Sequence, residues 1–122
     1  MKTEDVLKIY DIEFIVSKLG TPFFLGGGAM EELFTFLRSP MDINDLLEMT
    51  DHYLNGNPFP VDNDWTVFTC TIEMTPEGVV FVYPGIKDLD RVVPLKDFKI
   101  IATAWLDFLE RDSGQIKVPL YK

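Results

Sequence analysis

The stretch Trp65–Tyr83, WTVFTCTIEMTPEGVVFVY, decides the fold. Phe68, Cys70, Ile72 and Met74 alternate with Val67, Thr69, Thr71 and Glu73, the two-residue period of a strand that buries one face. Thr75-Pro76-Glu77-Gly78 interrupts it, with Pro76 and Gly78 where a type I turn prefers them. Val79–Tyr83 then resumes with β-branched and aromatic residues suited to a pleated, half-buried surface. The reading is a β-hairpin closed by Pro84-Gly85.

Toward the C-terminus, Arg91–Val93 reads as a short strand leading into the longest helix, with Pro94 as its first residue. Its inward stripe is Leu95, Phe98, Ile101, Ala102, Trp105, Phe108 and Leu109, and Ser113-Gly114 ends it. Ile116–Tyr121 alternates as an edge strand would, where Pro119 is tolerated. Toward the N-terminus, Asp42 caps a helix with the inner stripe Ile43, Leu46, Leu47, Thr50 and Leu54, stopped by Asn55-Gly56-Asn57-Pro58. Ala29–Arg38 is a shorter amphipathic helix on Met30, Leu33, Phe34 and Leu37, broken by Ser39-Pro40. Thr3–Leu19 fits two periods: Ile9, Ile12, Val16 and Leu19 make a helical stripe, while Tyr10, Ile12, Phe14 and Val16 alternate as a strand. A cap at Thr3, acids at Glu4 and Asp5 and a stop at Gly20 favour the helix. The whole is expected to be one α+β domain over 1–122: N-terminal helices, and an antiparallel hairpin or small sheet packed on a long C-terminal helix.

Charge is the second informative feature. The 122 residues hold 20 Asp+Glu against 11 Lys+Arg, a formal charge of −9. That sign argues against nucleic acid and anionic membrane surfaces as partners, since both are held by Lys and Arg. Between Arg38 and Lys87 there is no cation, yet Asp42, Asp45, Glu48, Asp51, Asp62, Asp64, Glu73 and Glu77 lie there, eight of the nine excess charges. Asp45, Glu48 and Asp51 recur every third residue on one helix, so like charges become neighbours on its outer surface. Asp62 and Asp64 stand beside Phe59 and Trp65, an arrangement in which rings supply buried area and charges steer a basic protein partner. The competing reading is a solvated acidic face without a partner.

Motifs for chemistry are sparse. His52, the single histidine, shares a helix face with Glu48 and could act as an acid or base with it, although such a residue is more often a surface one. Cys70, the single cysteine, excludes an internal disulfide and reads as a small core side chain. Asp62-Asn63-Asp64 opens like a calcium loop but lacks the glycine and glutamate that complete one, so no metal or cofactor is expected. Gly26-Gly27-Gly28 precedes a helix without the Lys or Ser/Thr of a phosphate loop, and Glu31 and Glu32 occupy the helix start; a flexible turn is expected there. The N-terminus carries no secretory signal pattern and no segment reaches membrane-spanning length, so a cytoplasmic protein is expected.

The Trp65-Thr66-x-Phe68-Thr69 start of the hairpin, then Val93-Pro94-Leu95-Lys96-Asp97-Phe98 and Trp105-Leu106-Asp107-Phe108-Leu109, resembles the C-terminal halves of small immunity proteins from bacterial polymorphic-toxin and contact-dependent growth inhibition systems. The resemblance covers Trp65–Leu109. It implies a non-enzymatic cytoplasmic protein that binds and neutralises one cognate basic toxin domain, often a nuclease. The acidic residues Asp42, Asp45, Glu48, Asp51, Asp62 and Asp64, with Phe59 and Trp65, are then the expected contacts. The alternative is a small-ligand-binding or enzymatic domain with a pocket near the hairpin; a third reading is an adaptor module.

Overall fold

The computed structural model describes residues 2–58, 64–67, 70–82 and 92–116, excepting the side chains of 64–67, 70, 82 and 112–116. Thr3–Leu19 is not the single helix that the acids at Glu4 and Asp5 and the stop at Gly20 favour, and the stripe read for that helix is not a buried face: Ile9, Val16 and Leu19 are exposed. Helix α1 (Thr3–Ile9) buries Val6 and is followed by strand β1 (Glu13–Val16). The switch is made by Asp11, whose φ of 56° lies in the left-handed region that ends a right-handed helix. Thr3 is the first helical residue and makes no cap; Lys2 holds the cap position, without a side-chain hydrogen bond. Gly20 lies in the turn of a hairpin, with β1 paired antiparallel to β2 (Pro22–Leu25) and Phe14 opposite Phe24.

Gly26-Gly27-Gly28 is a constrained turn, not a flexible one. All three glycines have positive φ, and a Cβ on Gly26 would lie 1.7 Å from the main-chain oxygen of Asp11, so the loop packs backbone on backbone. The Gly26 N–H donates to Glu31 Oε1 at 2.7 Å, so the carboxylate expected to repel a phosphate here occupies a loop donor itself. Helix α2 (Ala29–Phe36) stops two residues short of Arg38, because the residues preceding Pro40 turn extended. Helix α3 (Pro40–Leu54) begins on that proline with Ser39 at the cap position; Asp42 is inside the first turn and does not cap it. Ile43, Leu46 and Thr50 are buried as expected, Leu47 and Leu54 only partly, and Tyr53 joins them.

The region read as one hairpin is richer than expected. Strand β3 (Asp64–Val67) pairs antiparallel with β4 (Cys70–Thr75), so the residues read as one continuous strand belong to two; Phe68 and Thr69 lie outside the described residues. β4 pairs with β5 (Gly78–Val82) across the predicted turn, with Thr75 opposite Gly78, and Thr75 Oγ1 accepts from the Glu77 N–H at 3.2 Å. β6 (Val92–Val93) adds to β5, completing an antiparallel sheet ordered β3-β4-β5-β6. Ile72, Met74, Val79 and Phe81 fill its inner face.

Helix α4 (Leu95–Ile116) runs through Ser113 and Gly114, which were expected to end it. A glycine inside a helix costs only about 1 kcal/mol relative to alanine, too little to stop one anchored along its length. Ile116 is therefore helical, and the rest of the edge strand predicted over Ile116–Tyr121 lies outside the described residues. α4 packs on α1, α3, both strands of the small sheet and β5. Trp105 is its centre: wholly buried, with Phe14, Phe24 and Phe108 within 6 Å of its ring, and donating Nε1–H to the Leu37 carbonyl at 3.0 Å. That bond satisfies a carbonyl left over at the end of α2 and ties α2 to α4. The architecture is α+β, with a long C-terminal helix on the sheet, and among the described residues no helix is long and apolar enough to cross a membrane.

Candidate functional site

Among the described residues, the acidic positions expected at the site fall on α3 and, for Asp64, on an edge strand of the larger sheet. On α3, Asp42, Asp45 and Glu48 are exposed and Asp51 is half-buried. Three-residue spacing on a helix that turns ~100° per residue moves each successive side chain back by ~60°. Asp42 and Asp51 thus lie on opposite flanks, and Asp45 and Glu48 share the outward face between them. Met41 and His52 join that face, at four residues before Asp45 and four after Glu48. Met41 is 73% exposed, an apolar side chain in a charged stripe that no hydrophobic-face argument placed there.

Asp51 is spoken for. Lys99 Nζ of α4 lies 2.7 Å from its Oδ1, so the acidic run that has no cation near it in sequence receives one from a helix far along the chain. Both side chains are nearly half exposed, so the pair contributes only about 0–1 kcal/mol. Its consequence is electrostatic: among the described residues the acids of α3 without a paired cation narrow to Asp45 and Glu48, with Asp42 at the N-terminal flank, where a carboxylate suits the helix dipole.

Asp64 is placed by its backbone register. Register sets Asp64 opposite Glu73, two like charges across one ladder. Met74, the next residue, points inward and receives the Thr50 hydroxyl of α3 at 3.9 Å, so Glu73 lies on the opposite side of the sheet from α3. Trp65 follows Asp64 in β3, an edge strand of the sheet, and its side chain lies outside the described residues, as do Phe59 and Asp62 altogether. Of the six carboxylates expected to meet one partner, Asp42, Asp45, Glu48 and Asp51 are the ones whose side chains are described, and among these Asp45 and Glu48 form the outer face of α3.

His52 is exposed, its ring edge-on to Tyr53 at 5.1 Å, and among the described residues no hydrogen bond joins it to Glu48. Its carbonyl accepts from Asn57 Nδ2 at 2.7 Å, which closes the end of α3. Among the described residues no three His, Cys, Asp or Glu side chains come together as metal ligands.

Concave surface occurs elsewhere. A groove of about 420 Å³ runs between α1, β1 and α4, floored by Leu7, Phe14, Ile100 and Ala104. It adjoins the small sheet and not the β4–β5 hairpin where a pocket was expected. Sequence reasoning missed it because its walls come from three elements, each of which reads as an ordinary amphipathic segment.

Comparison with protein-family models, characterised proteins and solved structures gives no match to this chain.

Proposed function

We propose that the protein is a stoichiometric, non-enzymatic inhibitor, an immunity protein of the cytoplasm that neutralises a cognate toxin domain with a cationic surface. The observation that supports this most is the outer face of α3, where Asp45 and Glu48 stand exposed with no cation paired to them among the described residues, on a helix whose opposite face is held in the core. A rigid helix that presents fixed carboxylates can occupy a site shaped for phosphates, and such a field speeds encounter with a basic partner. A nuclease is the toxin class that most needs such a cationic site. The resemblance of Trp65–Leu109 to immunity proteins supports the same reading.

Met41 sharpens the contact: an exposed thioether at the end of the acidic stripe offers adaptable apolar area beside the charges. The test is charge reversal, Asp45→Lys with Glu48→Lys, in cells that carry the toxin encoded beside this gene. Loss of protection together with loss of salt-dependent affinity is the expected result. Full protection by the double variant overturns the acidic-helix mechanism, and a neighbouring frame that encodes only metabolic enzymes overturns the immunity reading.

A further inference from the structure

The groove between α1, β1 and α4 has a chemistry of its own, separate from the acidic face of α3. Its floor of Leu7, Phe14, Ile100 and Ala104 is apolar, and Thr3 and Thr103 bring hydroxyls to its edge. Three charged residues line it, and they are not equivalent. Lys99 is held by Asp51 at 2.7 Å. Asp107 and Arg111 are one helical turn apart and form no ion pair with each other; Arg111 instead donates Nε–H to the Asp107 main-chain carbonyl at 3.4 Å. The two terminal nitrogens of the guanidinium remain for a carboxylate, in the forked geometry that arginine offers and lysine does not. The Asp107 carboxylate remains for a cation. Counting Asp51, the charges at the groove balance, which suits a ligand of no net charge that carries both signs.

We infer that this groove binds a small amphipathic zwitterion, an α-amino acid with an apolar side chain. Arg111 takes the carboxylate, Asp107 takes the ammonium, and the side chain lies on Leu7, Phe14, Ile100 and Ala104. The volume is within the range of small-molecule sites and exceeds what one such side chain fills. The walls are set in place without ligand, since the Tyr10 hydroxyl of the α1 turn donates to Asp97 Oδ2 of α4 at 2.7 Å.

The test uses the full chain, isotope-labelled, titrated with leucine, leucinamide and N-acetylleucine while amide resonances are followed. Leucine is expected to give saturable shifts confined to α1, β1 and the facing side of α4. The amide lacks the carboxylate and the acetylated form lacks the ammonium, and each is expected to bind at least about tenfold more weakly, the loss of one charge-assisted contact. Arg111→Gln, at an exposed position that should fold normally, is expected to bind leucine and leucinamide alike. No saturable shift with leucine, shifts that map elsewhere, equal binding of all three compounds, or a preference for leucine that survives Arg111→Gln overturns the assignment.

Discussion

α3 and α4 lie against each other and use the same 3.6-residue period to different ends. α4 gives buried or half-buried contact along most of its described length: Phe98, Ile101, Ala102, Trp105 and Leu109 are inside, Leu106 nearly so, and Ile100 and Phe108 pack at the margin. α3 buries a narrower stripe and leaves Met41, Asp45, Glu48 and His52 outside with no element of the described structure upon them. One helix is the scaffold and the other is a presented surface. The difference teaches that the acidic charge is carried by the helix that can change its outer residues at little cost to the core.

That contrast makes graded predictions. Trp105→Ala removes the central side chain of α4 and orphans the Leu37 carbonyl, and urea unfolding should report a loss of about 3–5 kcal/mol or no folded protein at all. A loss under about 1 kcal/mol would mean that α4 is not the scaffold. Tyr10→Phe removes the hydrogen bond that pins the α1 turn to α4, and should cost about 1 kcal/mol, with faster amide exchange confined to α1. Asp51→Asn breaks the ion pair between Asp51 and Lys99 of the two helices and should change stability by less than about 1 kcal/mol. The smallest effect is expected at the presented surface. Glu48→Gln relieves repulsion with Asp45 and should leave the unfolding midpoint unchanged or raise stability by about 0.2–0.5 kcal/mol. A clear destabilisation there would show that the outer face of α3 has a structural role and would erase the distinction between the helices.

Much of this arrangement was legible in the sequence. The turn at Thr75–Gly78 and the inward stripe of α4 were correct because turn chemistry and helical period are local, set by backbone sterics within a few residues. The Thr3–Leu19 segment was ambiguous for the opposite reason: it contains a short helix and a strand, with Tyr10, Asp11 and Ile12 between them, and the left-handed conformation of Asp11 that turns one into the other is not recorded in any period. Gly26 looked flexible because sequence does not reveal that the Asp11 carbonyl sits where its side chain would be. The acidic run was found as a run, but its division was not. Helical geometry alone turns Asp42 and Asp51 to opposite flanks, and strand alternation sends Glu73 away from α3.

By itself, then, the sequence determined the α+β class, the amphipathic helices, the central turn of the sheet and the concentration of negative charge between Arg38 and Lys87. Which of the described carboxylates gains a cation, and where a groove opens, depends on how the elements pack. Lys99 reaches Asp51, Tyr10 reaches Asp97 across 87 residues of chain, and Leu7, Phe14 and Ile100 meet in one floor. Those meetings follow from how whole elements pack to bury Trp105 and its neighbours, and no local period along the chain records which side chains that packing will bring together.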